Sequence, residues 1–405
     1  MIPLDEAQAH VRGCCPAPVA TTAALDGALG LVLAEAVVAS EAVPPFANSA
    51  MDGFALRAAD TAGAPVRLAV VGTLAAGAAP GRAVGPGEAI RIMTGAPMPT
   101  GADAVVMVER TSVSGSLEGE QVEVEVEVEV EVPVDNHVRH AGEDLESGQV
   151  VFPAGTALGP GQVGVLASIN LGEVPVYRRP RVGVISTGDE LVADGSVLAP
   201  GQIRDSNRPG LLALLAESGF DGVDLGLVPD DESAIESALR TGVGACDALL
   251  TTGGVSMGDF DYVKVVLDRI GDMRWMQVAI RPAKPLAFGM VDGVPVFGLP
   301  GNPVSSMVSF ELFVRPSLRA MAGHVGTERP LVRAVVEGGM PRRPDGKVHF
   351  ARVVVDYRDG AYRVSSAGGQ GSHQLTALAG ADGLAVLPDG DGVAEGDEVE
   401  VLLLR

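Results

Sequence analysis

The rhythm of residues 181–322 restricts the fold more than any other feature of the chain. Short apolar runs at 181–186, 223–228, 248–252 and 294–298 alternate there with stretches of helical spacing at 209–218, 232–241, 262–270 and 304–320. Strands that alternate with helices form βαβ units, because a parallel neighbour is reached only by crossing over one face of the sheet. A mainly parallel α/β sheet is therefore expected. Ligands of such sheets lie beyond the carboxyl ends of the strands, which directs attention to the loops following these runs.

Four segments of this α/β region carry groups suited to an anionic ligand. The first run ends in Ser186-Thr187-Gly188-Asp189-Glu190, where glycine permits a tight turn and hydroxyls and carboxylates crown the sheet. An ordinary Gly-Asp turn is the plainer reading. The segment Thr252-Gly253-Gly254-Val255-Ser256-Met257-Gly258-Asp259-Phe260-Asp261 joins a strand to a helix. Its glycines let backbone N–H groups approach an anion, and the helix adds a positive end of roughly half a charge. A phosphate cradle competes there with a helix entry capped by Asp259 or Asp261. In Pro300-Gly301-Asn302-Pro303 the prolines fix φ on either side of a Gly-Asn pair. That suits a stiff ligand loop, or a rigid turn with Pro303 as the first helical residue. Arg281-Pro282-Ala283-Lys284 places two cations together. Arg can take phosphate oxygens bidentately and Lys acts as a point charge, although surface cations are commoner than ligand-binding ones.

The chain has 405 residues, more than one hydrophobic core organises, so further domains are expected. The first forty residues read as two helices, from the spacing of Leu4, Ala7, Val11 and of Leu25, Ala28, Leu29, Val32. From residue 43 to about 145, Pro, Gly and short β-branched runs indicate a small β-rich domain. Within it, residues 121–132 alternate Val with Glu, which puts the valines on one face of a half-exposed strand and the glutamates in water. Beyond Gly323 alternating segments at 331–336, 349–355, 362–365 and 398–404 indicate a closing all-β domain.

The β-rich region has a polar cluster of its own. Asn48-Ser49-Ala50-Met51-Asp52-Gly53 is joined by Arg91-Ile92-Met93-Thr94-Gly95 and by Gly142-Glu143-Asp144. Asp52 and Asp144 could bind Mg²⁺ through oxygen, and Thr94 could donate to an oxyanion; each also reads as an Asx-turn or a cap. Asp230 reads locally as the N-cap of the helix at 232–241. His137 and His140 have no third His or Cys nearby, which argues against a transition-metal site.

Several function classes are set aside. A net charge of −23 disfavours general nucleic-acid binding, which relies on clustered Lys and Arg, but leaves room for a small anion in a locally positive pocket. No apolar run approaches the ~20 residues that span a bilayer, and the N-terminus is acidic where a signal peptide is basic, so no membrane association is expected. Cys14, Cys15 and Cys246 form no C-x-x-C pair. A reducing, cytoplasmic setting is expected.

In order along the chain stand NSAMDGFAL, RIMTGAPMPTGADAVV, GEDL, STGDEL, TTGGVSMGDFDYVK, RPAKPLAFG and GLPGNPVSS. With this set the chain resembles, over essentially its full length, the bacterial MoeA family, the molybdopterin molybdenumtransferases related to the E domain of gephyrin. The α/β region alone also resembles molybdopterin adenylyltransferases. The resemblance implies four domains: an elongated one from residues 1–42 and 146–178, a β-rich insertion at 43–145, a molybdopterin-binding α/β domain at 179–323 and a C-terminal β-barrel at 324–405. It implies a homodimer whose active site lies between the α/β domain of one subunit and the β-rich domain of the other. Transient contact with a molybdopterin adenylyltransferase and with molybdoenzymes follows from the same resemblance.

Carried over by motif, Asp52, Thr94, Asp144, Glu190, Asp230 and Asp261 are the implied catalytic positions, with Asp52, Asp230 and Asp261 holding Mg²⁺. Substrate contacts are implied for Ser186, Thr187, Gly188, Gly253, Gly254, Ser256, Gly258, Arg281, Lys284, Pro300, Gly301, Asn302 and Pro303, and for Arg352 and Ser372 in the C-terminal region. The family often has Lys where Gln277 stands. The implied reaction inserts molybdate into adenylyl-molybdopterin, releases AMP and requires Mg²⁺. The Gly253–Gly258 and Pro300–Pro303 loops would hold the pterin phosphate, and Arg281, Lys284 and Thr94 the molybdate. Two rival readings are the preceding adenylylation step and a scaffold that binds a protein partner.

Overall fold

The computed structural model describes residues 1–114, 125–254 and 262–405. Its α/β sheet has six strands in the order Asp221–Val228, Arg181–Thr187, Ala248–Thr252, Val294–Leu299, Pro285–Val291, Asp272–Gln277. The first four run parallel, as the strand–helix alternation requires. The helix Asn207–Glu217 and the long helical segment that begins at Pro303 pack on one face, against Val184, Leu250 and Phe297. Helices Glu232–Ala245 and Tyr262–Ile270 cover the other, against Ile185, Leu249 and Val296. Burial on both faces explains why Ala248–Thr252 is apolar or hydroxylic throughout, without alternation.

The last two strands form an antiparallel edge that the periodicity does not announce. Pro285–Val291 turns into Val294–Leu299 through Asp292 and Gly293, both at positive φ (49° and 84°). That is the Asp-Gly hairpin turn, and Val-Asp-Gly-Val was its sequence signal. The helix expected at 304–320 is continuous in space but contains a π-helical turn, Phe310–Val314, between Pro303–Ser309 and Arg315–Met321. Pro303 is the first helical residue, as its fixed φ allows.

The C-terminal strands Val348–Arg358, Ala361–Ser366, Leu331–Val336, Glu398–Leu403 and Gly383–Leu387 pair in that order, and the last returns to the first. The result is a closed five-stranded barrel, which leaves no long unpaired edge. Its core is Val336, Val353, Val364, Ala385 and Val401. A two-residue strand, Ile280–Arg281, adds in parallel to the barrel strand and sets Arg281 opposite His349. The cation-bearing segment thus stitches the α/β sheet to the barrel.

The β-rich region is a six-stranded sheet, ordered Ala104–Met107, Gly53–Leu56, Glu88–Ile92, Val66–Leu74, Glu125–Val128, Thr111–Ser114. Val126 and Val128 are fully buried beside exposed Glu125, so the Val/Glu alternation sorts its faces as expected. The ladder covers only Glu125–Val128 of that stretch, and residues 121–124 lie outside the described residues.

Two expectations fail. Of the two N-terminal helices only Leu4–Cys14 forms, burying Ala7 and Val11 in the α/β core. The apolar spacing of Leu25 to Val32 instead serves a 3₁₀ turn and an extended segment, with Val32 bridged to Ala157 and Leu33 to Val176. Gly30 at φ 77° ends any helix there, and burial between two strands replaces helical packing. Asp230 does not cap the helix that follows it; Asp231 does, accepting the N–H of Ala234 at 2.9 Å. Among the described residues no helix is long and apolar enough to cross a membrane.

Candidate active site

The carboxyl ends of the parallel strands gather the first set of expected residues. Ser186, Thr187 and Thr252 are buried there, and the Ser186 hydroxyl donates to Asp205 at 3.0 Å. Gly253 stands at φ 96°, and a Cβ on it would lie 2.8 Å from the Thr187 carbonyl oxygen, so only glycine fits. Gly301 approaches Gly253 closely, a Cβ on it falling 3.8 Å from the Gly253 Cα. Asn207 joins the two loops: its amide donates to the Thr252 hydroxyl at 2.6 Å and to the Gly301 carbonyl at 2.8 Å. Neither Asp205 nor Asn207 was singled out from the sequence, because a polar residue opening a helix looks like any cap until the neighbouring strand ends are in place. Ser256, Gly258 and Asp261 lie outside the described residues.

Acidic groups line the opposite end of this crown. The Asp230 N–H donates to Asp189 at 3.1 Å. Burial raises the Asp230 carboxyl above the usual carboxylate range, and repulsion from Asp189 and Glu190 adds to the effect. Oxygen donors of this kind suit Mg²⁺. Among the described residues, however, no three His, Cys, Asp or Glu side chains converge as a metal shell, and Asp230 follows a strand of the α/β sheet while Asp52 precedes one of the β-rich sheet.

A second set converges where the α/β sheet meets the barrel. A cleft of about 310 Å³ is lined by Arg281, Lys284, Pro300, Asn302, Lys347 and Ser372. Arg281 and Lys284 are both exposed to it, and Ala283 between them takes φ 73°. The Ser372 carbonyl accepts the N–H of Val304 at 3.1 Å, which holds the C-terminal loop against the start of the long helix. Lys347 is the addition that sequence inspection missed. It pairs with Asp345 at 3.1 Å, and His349 contacts the same carboxylate. Against the effect of burial, hydrogen bonds from Lys347 and His349 hold Asp345 down to about 2.

Arg352 behaves differently from the other cations. It is 1% exposed, and one guanidinium nitrogen donates to the carbonyls of Gly369 and Gly371 at 2.8 and 3.2 Å. Burial lowers its pKa, and it borders a second cleft of about 520 Å³ that shares Arg281 and Gln370 with the first. The guanidinium therefore holds a loop at the edge of that cleft.

In the β-rich sheet the Asp52 carboxylate accepts both the N–H and the hydroxyl of Thr94, at 2.7 and 2.8 Å. Asp144 is exposed, with its N–H bonded to the Val43 carbonyl at 3.0 Å. Among the described residues, no hydrogen bond or ion pair links the Asp52–Thr94 pair to Asp144 or to the α/β crown. His140 pairs with Asp135 at 3.2 Å.

A parallel-led α/β sheet crowned by glycine loops, joined to a small barrel beside a cleft that exposes Arg281 and Lys284, defines a multidomain α/β-plus-β protein. Family models match in register with this architecture: the MoeA N-terminal region (domain I and II) over residues 2–170, a probable molybdopterin binding domain over 183–320, and the MoeA C-terminal region (domain IV) over 341–404. The chain belongs to the MoeA family. It is 36% identical to the molybdopterin molybdenumtransferase of Bacillus subtilis, across 100% of this chain and 94% of the relative. It is 40% identical to molybdopterin molybdenumtransferase 2 of Mycobacterium tuberculosis, across 96% of each. The solved molybdopterin biosynthesis MoeA protein of Pyrococcus horikoshii superposes with a TM-score of 0.81 at 30% identity, covering 100% of both chains.

Proposed function

We propose that this chain, a molybdopterin molybdenumtransferase like its relatives, inserts molybdate into adenylyl-molybdopterin, forming the molybdenum cofactor and releasing AMP. The observation that carries the reading is the convergence of Arg281, Lys284, Lys347 and Ser372 around one cleft beside the Pro300–Asn302 loop, in a chain of net charge −23. Cations concentrated in an acidic molecule create a local field for a small oxyanion.

Molybdate, as substrate, binds in this cleft through Arg281 and Lys284. Gly254 and, within the Pro300–Pro303 loop, Gly301 and Asn302 offer backbone N–H groups to the pterin phosphate, while the Gly253 N–H is held by the Leu299 carbonyl and Asn207 keeps the loops together. The protein contributes position and charge, with no covalent intermediate. Mg²⁺ would be held by carboxylates such as Asp52, Asp230 and Asp261 and would offset diphosphate charge. The reading includes a homodimer whose site draws the Asp52–Thr94–Asp144 cluster from one subunit and the α/β crown from the other. The exposure of Asp52, Thr94 and Asp144 on one side and of Asp189 and Glu190 at the crown, with no hydrogen bond between the two groups inside one chain among the described residues, supports it. A reducing, cytoplasmic location belongs to the same reading, supported by three free thiols.

The test is AMP release from adenylyl-molybdopterin by the purified protein, with and without molybdate and Mg²⁺. Release that requires both is expected. AMP release independent of molybdate would overturn the insertion step, and consumption of ATP with molybdopterin would point to adenylylation instead.

A further inference from the structure

Gln370 carries a hydrogen-bonding pattern that no part of the proposed reaction uses. Its side-chain oxygen accepts the backbone N–H of Arg352 at 2.9 Å, and its side-chain nitrogen donates to the Arg352 carbonyl at 3.0 Å. The same nitrogen lies 3.2 Å from the Ser366 hydroxyl and 3.2 Å from the Gly368 carbonyl. The regular ladder between Val348–Arg358 and Ala361–Ser366 ends at Val353 opposite Ser366. One rung further on, the Ala367 N–H still donates to the Arg352 carbonyl at 3.0 Å, but the Arg352 N–H finds its acceptor in the Gln370 side-chain amide instead of a partner peptide.

The consequence reaches the oxyanion cleft. Residues 367–372 leave the barrel as a glycine-rich loop with little side-chain packing of its own. Backbone bonds from Ala367 to Arg352 and from Gln374 to Gly371 restrain it, and side chains add further ties: the Ser366 hydroxyl on Gly368, the Gln370 amide, the Arg352 guanidinium on Gly369 and Gly371, and Gln374, whose side chain accepts the Gly371 N–H at 2.7 Å. The loop then delivers Ser372, whose carbonyl bonds to Val304 and which lines the cleft with Arg281 and Lys284. Gln370 borders both clefts at this point. A neutral amide is chemically suited to the task. It satisfies an N–H and a C=O at once, which neither a carboxylate nor an ammonium group can do, and it adds no charge beside an anion.

We propose that Gln370 is a positioning residue for the oxyanion substrate: it clamps the 367–372 loop to Arg352 and thereby fixes Ser372 and the barrel-side wall of the Arg281–Lys284 cleft. This rests on the reading of that cleft as the molybdate site. Replacing Gln370 with Met keeps the length and removes both bonds, leaving the N–H of a buried arginine without an acceptor. Gln370→Asn keeps an amide but shortens its reach by one methylene.

The experiment measures equilibrium binding of molybdate alone to the full chain, amide hydrogen exchange across residues 366–374, and the kinetic constants for molybdate. Wild type, Gln370→Met, Gln370→Asn and Lys284→Ala are compared. Both Gln370 variants are expected to bind molybdate about tenfold more weakly, the loss of one to two neutral hydrogen bonds. Exchange should quicken in the loop, and KM for molybdate should rise by more than kcat falls. A lower thermal midpoint with unchanged molybdate affinity and unchanged loop exchange overturns the proposal. If Lys284→Ala weakens binding and the Gln370 variants do not, the clamp is wrong and the cleft reading stands. If wild type does not bind molybdate and Lys284→Ala changes nothing, the cleft reading falls and takes this proposal with it.

Discussion

Asp52 and Thr94 meet through one carboxylate oxygen, which accepts both the backbone N–H and the hydroxyl of the threonine. The N–H is the larger influence and the hydroxyl the second, and together they hold the Asp52 carboxyl below the usual carboxylate range. Because the folded value is depressed, the interaction is fully present above the ordinary carboxylate pKa and is lost as pH falls through the folded one. Thr94→Ala removes only the hydroxyl. The Asp52 pKa, followed by carboxyl NMR, should rise toward its ordinary value without reaching it. No movement would mean that the hydroxyl bond is not formed in solution.

Removing a cation from the oxyanion cleft should act on turnover. Lys284→Ala or Arg281→Ala is expected to lower molybdate-dependent turnover about a hundredfold, roughly 3 kcal/mol of lost charge stabilisation. The loss should grow at low ionic strength, where unscreened charge matters most. Equal activity of wild type and both variants would remove the cleft from the reaction.

Asn207→Ala should separate the two glycine loops. It leaves the buried Thr252 hydroxyl and the exposed Gly301 carbonyl without their shared donor, and the buried loss costs about 1 kcal/mol or somewhat more. Denaturant melts measure that cost. Kinetics should show a larger loss in kcat/KM for the pterin substrate than for molybdate. The reverse order would assign Asn207 to the wrong loop.

At Gly253 the backbone itself is the constraint. Gly253→Ala forces a side chain into the left-handed region and to within 2.8 Å of the Thr187 carbonyl oxygen. About 1–3 kcal/mol of strain is expected, with loss of substrate binding even where the variant folds. An alanine variant of wild-type stability and activity would show that the loop adopts another conformation.

The neighbouring aspartates Asp230 and Asp231 should respond in opposite directions. Asp231→Ala removes the cap bond to Ala234 and is expected to lower the thermal midpoint. Asp230 has a raised folded pKa, from burial first and then from Asp189 and Glu190, so its ionised form costs stability as pH rises through that raised value. Asp230→Asn should therefore be at least as stable as wild type at neutral pH, while turnover falls. A destabilised Asp230→Asn protein would return the capping role to that residue.

What could be read from the residues follows from local rules. The parallel strands and their helices announced themselves through burial on both sheet faces, and the valines of the Val/Glu stretch through a period of two. The glycine and proline loops stood out because φ at those positions tolerates few residue types. Local rules also misled. The spacing of Leu25, Ala28, Leu29 and Val32 imitates a helix, yet Gly30 and the neighbouring strands draw these residues into an extended segment.

By itself, the sequence determined the parallel strands, the helices between them and the loops that follow those strands, since periodicity, glycine and proline act within a few residues. Only the tertiary structure decided that Lys347 and Ser372 of the barrel face Arg281 and Lys284, that Asn207 ties Thr252 to Gly301, and that Gln370 holds the backbone of Arg352. The parallel pairing of Arg281 with His349 and closure of the barrel bring the first and third sets together, and the parallel pairing of Ala248–Thr252 with Val294–Leu299 brings the second. Such contacts depend on where separate strands end in space, which no short-range pattern encodes.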